Sequence, residues 1–507
     1  MKADSANTQL RLGSRIRNLR QEQGLTQAAL ARALRTSQPA IARMEAGRQN
    51  FTARELEKVG KALGRSLLSV PQTADLVVNG GKRLSGSIDV NCSKNGSVAL
   101  LCAALLNRGK TTLRGIARIE EVSRLIEVLE SIGVNVRWTG QNSLEILPPA
   151  RFALDKIDVS AASRIRSSLM LIGALACRVP RFRLPHAGGC KMGSRTIAAH
   201  RLGLAALGVK TETEERYYEI STAKLKPADI VLYEASDTAA INVLLAAAMI
   251  PGVTTIRFAP PNYQVQEVCF FLERLGVRIE GIGTTTLVVR GVESFDAPVE
   301  HENSEDPVEA MLFISAAATT HSALTVRRAP IDFLSVELAK LTVMGLKFSV
   351  SSRYKAKNGR TDLVDIAARP SNLVAPPDKL HALPYPGINA DNLPFFVPIA
   401  TQAEGTTLVH DWMWENRAIY FTELNRLGAD VALADPHRVF VTGRTKLRGA
   451  QVVAPPALRP AAVILIAMLA AEGTSVLRNV YPINRGYEEI AARLRSIGAD
   501  VESAGEA

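Results

Sequence analysis

The chain has 507 residues, of which 47% are apolar, and a formal net charge of +12. This length exceeds one compact domain and predicts two to four units. The five scattered cysteines favour neither a disulfide framework nor a metal cluster. The N-terminus lacks the apolar segment of a signal peptide, and the longest apolar run, Ala461–Ala471, is too short to cross a bilayer. We therefore expect a cytoplasmic protein with no membrane partner.

The positive charge is concentrated at the N-terminus. Residues 1–70 contain thirteen Lys and Arg against five Asp and Glu, so the remaining 437 residues are nearly balanced. A small basic head on a balanced body indicates that the head meets a polyanion.

Residues 9–70 have the pattern of four short amphipathic helices. Gly24 ends the first, and Thr26 is a candidate N-cap for the second. Ser37 is a candidate N-cap for the third, which tolerates Pro39 in its first turn and ends at Gly47. The alternative to a nucleic-acid function is a small helical module for dimerisation or protein contact.

This stretch resembles the helix-turn-helix domain of the XRE (phage-repressor-like) family. The resemblance implies that the helix Ser37–Glu45 lies in the major groove of DNA. Gln38 then suits an adenine edge, Arg43 a guanine edge, and Gln27 a phosphate. A single head of this size binds weakly, so operator binding would need a homodimer.

After a predicted linker at residues 71–76, the sequence repeats itself. Each unit has a turn, a strand, an amphipathic helix ending in glycine, and an alternating strand. The helix-ending glycines are Gly133, Gly208, Gly276, Gly345, Gly428 and Gly498. Six such α/β units predict two lobes of three, with helices inside, sheets outside and a ligand cleft between the lobes.

Seven motifs in residues 77–507 recur in the order found in the enolpyruvyl transferases, and the body resembles that family. They are SKNGSVALL (93–101), RIRSSLMLIGAL (164–175), GGCKMGSR (188–195), NADNLPFF (389–396), WENR (414–417), LRPAAVIL (458–465) and NRGYEEI (484–490). The resemblance implies the family's two-lobed inside-out α/β barrel of six repeats. Lobe one would span about 94–300, and lobe two about 77–93 plus 301–507.

The resemblance also implies an activity, namely transfer of the enolpyruvyl group of phosphoenolpyruvate to the 3-hydroxyl of UDP-N-acetylglucosamine, in peptidoglycan precursor synthesis. Both substrates are anionic, which explains the need for fixed cations. Three side chains would hold phosphoenolpyruvate, namely Lys94, Arg195 and Arg485. Three more arginines would complete the basic lining, namely Arg166, Arg417 and Arg459. No metal or organic cofactor is expected.

Four further residues would act on the acceptor hydroxyl and the enol carbon. Asn95 would orient the sugar, His200 would contact the acceptor, and Asp391 would take the hydroxyl proton. Cys190, on the loop Pro185–His200 beside basic residues, would donate a proton or assist product release. The alternatives are a glycine-rich loop with an inert cysteine and an Asp391 that only caps the helix beginning near Asn392.

Several positions on the acceptor side depart from the family pattern. The stretch 233–238 carries acids where the family has a lysine and a glycine, Ala198 replaces an aspartate, and 262–264 replaces a Glu-Pro-Glu. Acids near a diphosphate would repel it. Three interpretations stay open: the ordinary acceptor in a rearranged loop, another nucleoside or nucleotide-sugar acceptor, or a transcription regulator that uses a degenerate transferase body as a metabolite sensor.

Overall fold

The computed structural model describes residues 9, 13, 16–17, 19–21, 24–49, 51–63, 75–189 and 196–504. It divides into two compact units, residues 1–72 with 137–145 and residues 73–136 with 146–507. Residues 71–74 of the predicted linker lie outside the described residues. No helix in the described part of the chain is long and apolar enough to cross a membrane.

The small unit has the helices that the sequence predicts. Residues 16–17 and 19–21 are helical, and three complete helices follow at Gln27–Ala33, Gln38–Glu45 and Ala53–Ala62. The predicted N-caps are confirmed: the hydroxyl of Thr26 accepts from the amide of Ala29, and that of Ser37 from the amide of Ala40. The fourth helix starts with a capping box in which Thr52 and Glu55 bond reciprocally.

A buried ion pair holds the helices of the small unit together. The Arg20 guanidinium donates to both oxygens of Glu45, at 2.5 and 3.0 Å, and also to the carbonyl of Leu25. The hydrogen bond from Arg20 to Glu45 raises the pKa of the Arg20 guanidinium, which therefore stays charged. The apolar core around it comprises Ile16, Leu19, Leu30, Ala31, Ile41, Met44, Leu56, Val59 and Leu63.

The described chain from residue 75 onward contains six sheets, three from residues 111–302 and three from residues 75–89 and 324–504. We call the first set, with its helices, the first lobe, and the second set the second lobe. In sheet order, the strands of the first lobe are Val299–Glu302, Thr111–Arg114, Ser143–Leu147 and Asn135–Gly140; Arg181–Pro185, Tyr217–Thr222 and Val209–Thr213; and Arg278–Glu280, Thr286–Gly291, Gly252–Arg257 and Asp229–Val231.

The second lobe repeats the same arrangement. Its strands, in sheet order, are Gln451–Val453, Gly473–Arg478, Asp75–Gly80 and Asp500–Ala504; Lys347–Val350, Asp362–Arg369, Leu324–Pro330 and Ser87–Asp89, with Tyr354–Lys355 on Asp362–Arg369; and Leu380–His381, Gly405–His410, Arg438–Gly443 and Asp430–Asp435. Five of the six sheets have one edge strand parallel to its neighbour. In four of these five the other pairs are antiparallel. The common pattern confirms the repeat.

The helices pack inside the sheets. The first lobe has Lys94–Ala103, Glu120–Ser131, Val159–Ala162, Leu171–Ala176, Ala198–Ala206, Asp237–Ala248 and Tyr263–Arg274, with 3₁₀ turns at Ala104–Leu106, Leu154–Lys156 and Ser167–Met170. The second lobe has Pro307–Thr319, Ser335–Val343, Phe396–Thr401, Leu458–Ala470, Tyr481–Asn484 and Ile490–Ser496, with 3₁₀ helices at Ile331–Phe333, Leu393–Phe395 and Ala418–Leu427. All six predicted helix-ending glycines have positive φ, between 83° and 100°, which lets the chain turn from helix to strand.

Candidate active site

Four buried helices begin close to one another, and their first residues form the centre of the site. They are Lys94–Ala103, Asp237–Ala248, Pro307–Thr319 and Leu458–Ala470. After their first turns these sequences are mostly apolar, which explains why the helices are buried all round rather than on one face. The backbone N–H of Lys94 donates to Asp306, the N-cap of the third of these helices, at 3.1 Å. Helix N-termini carry unpaired N–H groups and partial positive charge, so the arrangement suits anionic substrates.

Two of the predicted phosphoenolpyruvate-binding cations meet at one carboxylate. Lys94 Nζ lies 2.8 Å from Glu121 Oε2, and Arg485 Nη2 lies 3.7 Å from the same oxygen. Glu121 is in the first turn of the helix Glu120–Ser131 in the first lobe, whereas Arg485 follows a short helix of the second lobe. Glu121 therefore brings together cations from both lobes.

Asp391 lies among positive charges of the second lobe. Arg459 Nη2 donates to Asp391 Oδ2 at 3.1 Å, and the other arm of Arg459 donates to the hydroxyl of Tyr487 at 2.7 Å. Burial favours the neutral acid, but Arg459, Arg417 and Lys94 outweigh it and lower the pKa of Asp391 to about 2. Asp391 is thus a carboxylate at neutral pH. Asp391 does not cap the turn that follows it. Asn392 is the residue before the 3₁₀ turn Leu393–Phe395, and the Asp391 side chain accepts from Arg459 instead.

Arg417 has no exposed side-chain surface. Its Nε and Nη2 donate to the two oxygens of Asp411 at 2.5 and 2.8 Å, and Nη2 also donates to the carbonyl of Ala390 at 2.6 Å. Its Nη1 is 4.0 Å from Asp391. The structure thus places Arg417 behind Asp391, where it fixes the backbone beside that residue and contributes positive charge.

Asn95 faces an aromatic residue of the neighbouring helix. Its Nδ2 donates to the hydroxyl of Tyr263 at 2.9 Å. Tyr263 is buried, and burial together with Asp306, Asp391 and Asp237 raises its pKa well above the ordinary value. The phenol therefore stays neutral and lies near three acidic side chains of the site.

The remaining predicted substrate contacts are less uniformly placed. Cys190 and Arg195 lie outside the described residues. Arg166 donates to the carbonyl of Thr196 at 2.8 Å. His200 is buried and has its two ring nitrogens 3.0 Å from Asn242 Nδ2 and 3.3 Å from Thr238 Oγ1. The partners named here for Arg166 and His200 are not among the residues named above around Lys94, Asp391 and Arg485.

The four described cysteines have the properties of inert thiols. Burial raises the pKa of Cys92, Cys102, Cys177 and Cys269. A thiol whose pKa is raised by burial is a poor nucleophile and a poor proton donor at neutral pH. Among the cysteines, the sequence argument for a reactive thiol rests on Cys190.

The predicted DNA-contacting residues cluster around the third helix of the small unit. Gln38 and Arg43 are exposed on the helix Gln38–Glu45. Gln38 Nε2 donates to Gln27 Oε1 at 2.9 Å, and Gln27 Nε2 donates to Glu45 Oε2 at 2.9 Å. Hydrogen bonds therefore connect the buried Arg20–Glu45 pair, through the side-chain amide of Gln27, to the exposed side chain of Gln38.

Sequence reasoning missed the residues that position the predicted ones. They are Glu121, Tyr263, Asp306, Asp411 and Tyr487. Tyr487 lies within the NRGYEEI motif and could have been found from it, since a tyrosine next to a predicted arginine site is a natural hydrogen-bond partner. Glu121 looked like an ordinary acidic residue of a helix start. Tyr263 lies in the stretch 262–264, which the sequence marks only as a departure from the family pattern, and no local signal distinguishes Asp306 or Asp411.

Comparison with known proteins gives two family matches. The EPSP synthase (3-phosphoshikimate 1-carboxyvinyltransferase) family model matches residues 78–494, and a helix-turn-helix model matches residues 16–69. The UDP-N-acetylglucosamine 1-carboxyvinyltransferase of Bradyrhizobium diazoefficiens is 35% identical over 84% of this chain and 97% of its own length. The corresponding enzyme 2 of Caldanaerobacter subterraneus is 34% identical over 84% and 98%.

The solved structures give the same fold. The enolpyruvyl transferase NikO from Streptomyces tendae superposes with a TM-score of 0.74 at 25% identity, covering 85% of this chain and 99% of NikO. The EPSP synthase from Acinetobacter baumannii superposes with a TM-score of 0.67 at 18% identity, covering 85% and 100%. The chain therefore belongs to the EPSP synthase family of enolpyruvyl transferases and carries an N-terminal helix-turn-helix domain.

Proposed function

We propose that the chain transfers the enolpyruvyl group of phosphoenolpyruvate to the 3-hydroxyl of UDP-N-acetylglucosamine and releases phosphate, a step of peptidoglycan precursor synthesis. The observation that carries this proposal is the cluster of Lys94 and Arg459, in the first turns of two buried helices, with Arg485 and Asp391. The names of the two curated relatives support the choice of acceptor.

The chemistry is an addition followed by an elimination. The acceptor oxygen bonds to C2 of phosphoenolpyruvate while a proton reaches its methylene carbon. The C2–O bond to phosphate then breaks and the carbon returns a proton, which restores the double bond. In this scheme Asp391 takes the hydroxyl proton, and Cys190 supplies the proton for carbon or assists product release.

The cations have two tasks in this mechanism. Lys94, Arg195 and Arg485 hold phosphoenolpyruvate, Arg166 and Arg459 complete the positive lining, and the buried Arg417 adds positive charge from behind Asp391. Three of them, Arg459, Arg417 and Lys94, outweigh burial and keep the pKa of Asp391 low, at about 2. Binding of the anionic donor offsets their field, so the basicity of Asp391 rises when the donor is in place.

A phosphate-release assay tests the proposal. Phosphate should appear when phosphoenolpyruvate and UDP-N-acetylglucosamine are both present, and Cys190→Ser and Asp391→Ala should abolish or greatly slow it. Release by the wild-type chain no faster than by these variants contradicts the proposal. Faster release with another nucleoside or nucleotide sugar would favour a changed acceptor.

We further propose that the N-terminal domain binds DNA through the helix Gln38–Glu45. The basic surplus of residues 1–70, the helix-turn-helix match and the exposure of Gln38 and Arg43 support this. Gln38 and Arg43 would read base edges, Gln27 would contact phosphate, and two copies of the chain would bind two half-sites. If the body also acts as a sensor, its substrates should change the DNA affinity.

We expect Arg43→Ala to weaken specific DNA binding by about 10- to 100-fold, because one bidentate base contact contributes about 1–3 kcal/mol. A duplex enriched from a random pool on the full chain provides the target, and anisotropy at fixed salt gives the affinity. Arg216→Ala, an exposed arginine of the body, removes the same charge and should leave the affinity nearly unchanged. Failure to enrich any sequence, or equal losses in both variants, contradicts the assignment.

A further inference from the structure

Asp237 is an acid held in one orientation at the start of a buried helix. Its Oδ2 accepts from Asn262 Nδ2 at 2.9 Å and from Gln264 Nε2 at 2.8 Å. Both amides come from the start of the adjacent helix Tyr263–Arg274, and both residues are buried. These two hydrogen bonds from packed side chains hold the Asp237 carboxyl group more firmly than the carboxyl group of an exposed acid at a helix start is held.

Helix capping does not account for this arrangement. Ser236 is the N-cap of Asp237–Ala248, and its hydroxyl accepts from the amide of Ala239. The carboxyl of Asp237 instead bonds to a different helix. Its orientation is therefore set by packing between two helices of the first lobe and not by the needs of its own helix.

The carboxyl group of Asp237 interacts electrostatically with Asp391, the proposed proton acceptor. Asp391, from the second lobe, acts electrostatically on Asp237, and both acids act on Tyr263. Tyr263 in turn accepts from Asn95, the predicted sugar-orienting residue. Asp237 thus lies in the first lobe, within electrostatic range of Asp391 in the second lobe.

The surroundings favour the neutral form of this acid. Burial and then Asp391 raise the pKa of Asp237 to about 7, although the Asn262 bond opposes them. On the helices that pack against Asp237–Ala248, the nearby titratable groups have other hydrogen-bond partners: His200 bonds to Thr238 and Asn242, and Glu267 bonds to His301. Leu171–Ala176 carries no titratable side chain, and the strands Gly252–Arg257 and Thr286–Gly291 pair their exposed arginines with Asp229 and Glu280.

Gln264 adds a second unusual feature at the same place. Its Oε1 is buried and has no hydrogen-bond partner among the described residues, while its Nε2 is committed to Asp237. A buried amide oxygen without a partner is costly unless a ligand N–H or O–H reaches it. Side by side, a carboxyl group and an open acceptor oxygen can recognise a group that contains both an anion and a hydrogen-bond donor.

We propose that Asp237, held by Asn262 and Gln264, determines acceptor specificity: it admits a phosphate-bearing nucleotide acceptor as a neutral hydrogen-bond donor and repels it as a carboxylate. This inference rests on the proposed transferase function and names a residue that selects its acceptor. A neutral carboxyl O–H donates to a phosphate oxygen, whereas an ionised one places two negative charges together. Gln264 Oε1 accepts from a hydroxyl or amide N–H of the same ligand.

The test compares the acceptor KM of wild type and Asp237→Asn between pH 6 and 8.5, at saturating phosphoenolpyruvate. The wild-type KM for UDP-N-acetylglucosamine should rise above pH 7, by up to about 10-fold per pH unit. The Asp237→Asn KM should stay flat and be at least 10-fold lower than wild type at pH 8.5. The KM for phosphoenolpyruvate should follow the same pH course in both proteins.

Two further variants separate this role from a structural one. Asp229→Asn removes an exposed acid of the same lobe and should keep the wild-type pH course. Gln264→Leu removes one bond to the Asp237 carboxylate and should move the midpoint of the KM rise to higher pH. This second variant keeps the proposal testable if Asp237→Asn does not fold, and thermal unfolding of each protein shows which ones are folded.

The outcomes separate this inference from the proposed function. No turnover of UDP-N-acetylglucosamine by the wild-type chain at any pH overturns the proposed function alone, and calorimetric titration with the same ligand then decides on Asp237. Binding that weakens between pH 6 and 8.5 in wild type but not in Asp237→Asn supports the inference. Equal pH courses in the two proteins, or no binding by either, overturn it.

Discussion

Asp391→Asn is expected to lower kcat by about 10³-fold while the chain stays folded, because it removes the group that we propose takes the acceptor's hydroxyl proton. The amide has nearly the same shape and can still meet Arg459, which lies 3.1 Å from the native carboxylate. The substitution therefore removes a proton acceptor with little change in packing. Steady-state phosphate release with both substrates measures the loss.

Binding and a matched control show whether the loss is chemical. Phosphoenolpyruvate should still bind to Asp391→Asn, because the predicted donor-holding cations Lys94 and Arg485 are intact. Asp378→Asn, on an exposed loop of the same lobe, makes the same chemical change and should keep wild-type kcat. A kcat for Asp391→Asn within a few-fold of wild type would remove Asp391 from the proton-transfer role.

Local features of the fold could be predicted because local sequence determines them. Thr26 and Ser37 cap helices where their hydroxyls precede an apolar periodic run. Gly428 ends a helix in the left-handed conformation, which non-glycine residues adopt only at a steric cost. Such signals operate within about four residues, so a single sequence contains all the information they need.

The contacts that position the site could not be predicted in the same way. Lys94 meets Asp306, which is 212 residues away, and Asn95 meets Tyr263, which is 168 residues away. No sequence periodicity relates positions so far apart. Asp306 caps its own helix and Tyr263 is buried in its own helix, so neither residue stands out in the sequence as part of a site. The motifs predict which cations belong to the site, but the carboxylates that contact Lys94, Arg485 and Arg459 become visible only in the packed structure.

Arg417 illustrates the difference between belonging to a motif and touching a substrate. The WENR motif predicts it as part of the basic lining, and the structure gives its guanidinium to Asp411 and to the carbonyl of Ala390. Because neither Arg417 nor Asp411 has exposed side-chain surface, we interpret Arg417 as a positioning residue. It holds the backbone next to Asp391 and helps keep that acid ionised.

Arg417→Ala should therefore destabilise the protein by about 3–5 kcal/mol, because it leaves the buried carboxylate of Asp411 without its cation. Urea or thermal unfolding, followed by circular dichroism, measures the change. Arg438→Ala removes an exposed arginine that pairs with Asp435 and should cost less than about 1 kcal/mol. Asp411→Asn in the Arg417→Ala background should recover part of the loss, because no buried charge then lacks a partner.

The kinetic consequence distinguishes positioning from direct binding. At a temperature where Arg417→Ala remains folded, its kcat should fall because Asp391 loses both a fixed backbone and part of the positive field that lowers its pKa. The pKa of Asp391 should rise, so the acid limb of the pH–kcat profile should move to higher pH. A direct binding role predicts instead a raised KM for phosphoenolpyruvate, an unchanged acid limb and unfolding close to that of Arg438→Ala. That combination would return Arg417 to the substrate-binding surface, whereas a shifted acid limb together with a large loss of stability assigns it to the support of Asp391.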